Sequence, residues 1–85
     1  MGELGGLINI GKAVEGQLNE VGIYTVEELK AVGSKHAWLK IRGIDCSACI
    51  NRLCALEGAI QGIRWHDLDM DKKSELKEFY NSFKS

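Results

Sequence analysis

Residues 46–61 read CSACINRLCALEGAIQ and carry the longest sustained helical periodicity in the chain. At roughly 100° per residue, Cys46, Cys49, Leu53, Leu56 and Ile60 fall in one arc, with Ile50 and Ala59 at its flanks. Ser47, Asn51, Cys54, Gly58 and Gln61 share a second face, small and polar. A helix with one apolar face and one small-residue face can take neighbours on two sides, so this segment is expected to be the core piece of the fold. Asp45 is the expected N-cap, and Gly62-Ile63 the terminator. Gly58 and Gly62, four apart with Cys54 on the same small face, predict a close approach by another helix or by a partner. Cys54, Gly58, Gly62 and Trp65 are therefore the candidate interface residues.

Working outward, the same Gly-Ile device recurs at Gly43-Ile44 and Gly22-Ile23. Each places glycine where a helix ends in the left-handed conformation and folds an isoleucine back on the last turn. Leu39 is the expected contact for Ile44, and Leu18 for Ile23. Between these stops the pattern predicts helices over 10–21, 26–32 and 35–42, and a last one over 72–83 with Leu76, Phe79, Tyr80 and Phe83 at helical spacing. Asn9 is the expected cap of the first and Ser34 of the third. Thr25 with Glu28 forms a capping box, with Tyr24 and Leu29 at the positions of a hydrophobic staple. The WLKIR segment alternates like a strand, but no second strand is visible to pair with it, so it is read as helix with Trp38, Ile41 and Ala37 inward. The expected fold is all-α: about five short helices in one compact domain over 9–85, preceded by a flexible Gly-rich arm over 1–8.

Eighty-five residues suffice for one small domain. Hydrophobic residues make up 45% and charged ones 27%, a balance that belongs to a globular chain rather than a disordered one. There is no apolar run long enough for a membrane span, no signal-peptide pattern and no myristoylation motif. Three cysteines do not make a disulfide framework, and a reducing cytoplasm is the expected setting. The net charge of −1 hides an asymmetry: residues 1–29 carry −4, residues 30–64 carry +4 and the remainder −1. Clustered positive charge is what binds a phosphate backbone, so the middle segment bears watching for nucleic acid.

The tempting chemistry reads first as plain packing, with metal or redox sensing by Cys46 and Cys49 as a third hypothesis beside the two functional ones below. Cys46, Cys49 and Cys54 form CxxCxxxxC, but no strand frames them as a redox motif, and helical geometry turns Cys54 away from the other two. Neither His36 nor His66 lies at zinc-finger spacing from them. DLDMD lacks the glycine and terminal glutamate of a calcium loop and reads as acid at a helix entry. No nucleophile stands with a base and an orienting group. No enzyme, cofactor or metal is expected.

The stretch LINIGKAVEGQLNEVGIYTVEELKAVG resembles a helix-hairpin-helix unit, with a tight turn at Ile10-Gly11, a lysine, a helix closed by Gly-Ile and a Thr-capped helix. That resemblance implies backbone N–H groups at the turn that hold a nucleic-acid phosphate. Asn9 stands where such units carry the first glycine of the hairpin. The candidate nucleic-acid contacts are Asn9, Gly11, Lys12, Lys35, Lys40 and Arg42, helped by Arg52 and Arg64. The signature widens in the second half. Asn9-Ile10-Gly11-Lys12, Gly22-Ile23-Tyr24-Thr25, Glu28-Leu29 and above all ALEGAIQGIRWHDL resemble the C-terminal domain of TfoX/Sxy-type competence regulators, over about residues 7–83. The resemblance implies a bacterial, cytoplasmic, all-α protein connected with regulating genes for DNA uptake. Full-length regulators of that type also have an N-terminal α/β domain. These 85 residues hold none and are expected to be a stand-alone member or an excised domain. The expected function is a non-enzymatic regulatory module working through protein contacts in transcription; the alternative is weak, largely sequence-independent nucleic-acid binding. The sequence names no partner and no oligomeric state.

Overall fold

A computed structural model describes residues 4–45 and 48–83. Five α-helices, α1 (Lys12–Glu20), α2 (Val26–Val32), α3 (Ser34–Ile44), α4 (Ile50–Gln61) and α5 (Met70–Phe83), are joined by short corners, with 3-10 turns at Leu4–Gly6 and Trp65–Asp67. There is no strand among the described residues, so WLKIR is helical as expected. The Cα radius of gyration, 11.7 Å, matches the ~12 Å expected of a compact chain of this length.

Helix α4 is the hub. It packs on α3, α5, α2 and the Trp65–Asp67 turn. Leu53, Cys54, Ala55, Leu56, Gly58 and Ala59 are all buried on it, so its apolar face and the middle of its small-residue face are covered, while Asn51 and Gln61 at the ends of the latter stay exposed. Around it close Leu18 of α1, Ile23, Leu29 of α2, Ala37, Trp38 and Ile41 of α3, Leu68, and Leu76 of α5. Trp38 is fully buried. Its ring meets Phe79 and Tyr80 of α5 edge-on at 6.0 and 5.6 Å, and the indole N–H donates to the Cys49 carbonyl at 3.2 Å. One aromatic residue thereby ties α3 to both α5 and the entry of α4.

Two of the three Gly-Ile stops form as expected. Gly22 has φ 91° and Gly62 φ 77°, and the following isoleucines close back with Ile23 N–H to Leu18 O at 2.8 Å and Ile63 N–H to Gly58 O at 2.9 Å. The Thr25–Glu28 capping box is complete. Leu29 enters the core while Tyr24 stays exposed.

The third stop fails. Helix α3 runs through Gly43 to Ile44, because Asp45 N–H continues the ladder to Ile41 O at 2.8 Å. Ile44 is left 49% exposed, so the apolar contact that drives such a stop is missing. Asp45 therefore ends α3 instead of capping the next helix, and the expected start at Cys46 moves to Ile50 with Cys49 as N-cap. Cys46 and Ser47 lie outside the described residues. The cap moves because the Cys49 carbonyl serves the Trp38 indole, Arg52 N–H and Leu53 N–H together.

Two other caps are corrected. Gly11, not Asn9, precedes α1, and Gly33, not Ser34, precedes α3. The Ser34 hydroxyl instead donates to Glu57 of α4 at 2.6 Å. The last helix begins at Met70, two residues before its expected start. Within the N-terminal arm, Leu4 is fully buried and the Leu4–Gly6 turn packs on α1.

Candidate functional site

In the alternative reading, the Asn9–Lys12 turn offers free N–H groups and a lysine to a phosphate. Asn9 adopts φ 73°, a left-handed conformation that asparagine tolerates better than most residues. Its side chain faces inward. Nδ2 donates to Ile63 O at 2.9 Å, and Oδ1 accepts from Trp65 N–H at 3.3 Å. Ala55 O lies a further 3.5 Å from Nδ2. The side chain thus clasps the corner after α4. Gly11 and Lys12 are exposed, and Gly11 makes no side-chain cap at the start of α1. The first turn of α1 carries Glu15, whose Oε2 is buried without a hydrogen-bond partner. That negative charge stands in the region where the helix dipole would otherwise favour an anion.

The basic middle does not converge on this turn as one open patch. Arg52 donates to Asp45 Oδ2 at 3.1 Å and to Gln17 Oε1 at 3.0 Å, and Gln17 donates to the same Asp45 oxygen at 2.7 Å. This trio joins α1, the end of α3 and the start of α4, with both charged side chains about three-quarters buried. Lys35 pairs with Glu75, which Lys72 also reaches at 3.2 Å. Arg42 lies over the Trp38 ring and donates to Phe83 O at 2.7 Å. Lys12, Lys30, Lys40 and Arg64 are exposed, with no side-chain partner among the described residues.

At Gly58 the small face of α4 is occupied from within. A Cβ on Gly58 would stand 2.6 Å from Asn9 Nδ2, 2.8 Å from Ile63 O and 3.1 Å from the Trp65 Cα. The close approach expected at Gly58 therefore exists, and the chain's own Asn9 corner makes it. Gly62 has open space beside it and owes its identity to its left-handed φ. Trp65 is half-buried, and its ring stacks on His66 at 3.9 Å.

Of the cysteines, Cys49 is exposed and Cys54 buried. Burial pushes the Cys54 thiol up, against a smaller opposing pull from Lys73. A thiol so placed is less activated than a free one, the reverse of a redox cysteine. Cys46, the other half of the CxxC pair, lies outside the described residues.

Sequence reasoning missed the Asn9 clasp and the Arg52–Asp45–Gln17 trio. The first had a signal: an asparagine in a place that resembling hairpins give to glycine. The second had none, since Gln17 and Arg52 are 35 positions apart.

Comparison with known proteins places these features in a family. The sequence model of the TfoX C-terminal domain matches residues 1–80. Protein Sxy of Escherichia coli K12 is 37% identical over 76 residues, which cover 89% of this chain and 36% of Sxy. The chain thus spans about a third of the length of that curated relative. Among solved structures, an uncharacterised Listeria monocytogenes protein in a triclinic crystal form superimposes with TM-score 0.95 at 55% identity, over 96% of this chain and 93% of that one. A tetragonal-form structure of a Listeria monocytogenes protein of unknown function gives TM-score 0.89 at 56% identity, over 92% and 96%.

Proposed function

This chain belongs to the TfoX C-terminal domain family, and from that premise we propose that it is a non-catalytic regulatory module acting in the cytoplasm through protein contacts. The observation that carries this reading is the internal use of the middle segment's charge. Arg52, Lys35 and Arg42 are each engaged with groups of the same chain. Binding that depends on neutralising phosphates needs several cations presented together, and the exposed ones here are divided among α1, α2, α3, α5 and the corner after α4. No helix is long and apolar enough to cross a membrane among the described residues, which accords with a cytoplasmic role.

The family relation to Sxy, a competence regulator of the TfoX type, gives the test. A chimera is built in which this chain replaces the matching third of Sxy, and a Sxy-dependent reporter is read in Escherichia coli. The proposal expects the chimera to retain activation, since 37% identity over 76 residues places the two segments in one domain family. A chimera that accumulates as folded protein yet leaves the reporter silent would sink the idea that the domain's contacts carry over.

The second reading is phosphate binding at the Asn9–Lys12 turn. It is favoured by one observation, the exposed start of α1 with Lys12 beside it. It is opposed by Glu15 in the same turn.

A further inference from the structure

A cleft of about 430 Å³ opens between α4 and α5. Ile50, Asn51 and Cys54 form its α4 wall, and Lys73, Lys77, Tyr80 and Asn81 its α5 wall, with Trp65 completing the lining. The volume falls at the small end of the roughly 300–1,000 Å³ that ligand sites span. Its surface is mostly apolar, and its charge is one-signed: two ammonium groups and no carboxylate. Lys73 and Lys77 stand one helical turn apart and so share a face of α5. Lys73 is steadied by a 2.8 Å bond to the His66 carbonyl. Lys77 and the Tyr80 hydroxyl have no partner among the described residues. The Lys73, Lys77 and Tyr80 side chains take no part in the Asn9 clasp or the Arg52 trio.

We propose that this cleft binds a small amphipathic carboxylate, with an aromatic or short aliphatic body of about ten carbons. The body lies against Trp65, Ile50 and the Cys54 side chain, and the carboxylate meets Lys77 and Lys73, with the Tyr80 hydroxyl as a further donor. Charge complementarity selects the carboxylate, and the volume selects a small molecule over a folded surface. The site would give the regulatory module an effector input.

The probe is 4-phenylbutyrate, with 4-phenylbutylamine as the control of similar body and opposite charge. Binding is read by nitrogen-15 NMR on the full chain, where the two indole N–H signals report separately. Trp38 is sealed in the core and Trp65 lines the cleft. The expected result is a saturable shift of the Trp65 indole and of the Asn51, Lys77 and Asn81 amides with phenylbutyrate, while the Trp38 signal stays put. The amine should bind at least about fivefold more weakly, and Lys77→Glu should weaken phenylbutyrate about as much. Equal affinity for acid and amine, or no saturable shift by about 10 mM, overturns the proposal. So does an acetylated Glu-Glu-Phe-Leu peptide that shifts these amides when phenylbutyrate does not, which would assign the cleft to a protein partner.

Discussion

At the scale of single residues, Asn9 and Gly58 form one device. The glycine leaves room for the Asn9 amide, and the amide satisfies the Ile63 carbonyl and the Trp65 N–H at the corner. Gly58→Ala forces a methyl into contacts of 2.6 and 2.8 Å, one with a side chain and one with backbone. It should cost about 2–3 kcal/mol in urea unfolding, the usual scale for overpacking. Asn9→Gly keeps the left-handed backbone but removes the clasp, and should cost about 1–2 kcal/mol. Combined, the two should cost less than their sum, because the first clash disappears with the amide while the Ile63 oxygen remains. Strict additivity would mean that the two residues do not act on each other. The close approach at Gly58 was legible from small-residue spacing on α4. Its source was not, because spacing within one helix says nothing about which distant residue fills the gap.

At the scale of elements, local chemistry was legible where a boundary is set locally. The capping box at Thr25 and the glycine stops at 22 and 62 depend on residues within one turn. Boundaries set by distant groups were not legible. The α3–α4 corner is fixed by a buried indole seeking a carbonyl and by Asp45 answering Gln17 and Arg52. A second cross-element tie, Lys35 and Lys72 on Glu75, links α3 to α5. The Lys35 hydrogen bond, then that of Lys72, holds the Glu75 carboxyl below its usual range. A depressed carboxyl adds stability above its unfolded pKa and loses it as pH falls through the folded one. The advantage of wild type over Glu75→Gln should therefore be present at neutral pH and vanish in acid, below the ordinary glutamate value of about 4.3. Glu75 is nearly half exposed, so the difference should be small and shrink with salt. A gap that persists unchanged in acid would show that the pair is not its origin.

At the scale of the molecule, the all-α class and the central place of α4 were legible because apolar spacing sets both. What spacing could not show was the fate of charge. The sequence places a +4 segment between acidic flanks, and the fold engages three of that segment's six cations: Arg52 in the trio with Asp45 and Gln17, Lys35 and Arg42 on α5. On the reading proposed above, this engagement of charge is what weighs against a grip on nucleic acid. The most direct measurement is a fluorescence-anisotropy titration of a labelled duplex of about 20 base pairs, at about 50 and about 200 mM salt. The account predicts dissociation constants weaker than about 100 µM at the higher salt, with Lys12→Glu changing little. Micromolar or tighter binding at that salt, falling steeply as salt rises and abolished by Lys12→Glu, would contradict it.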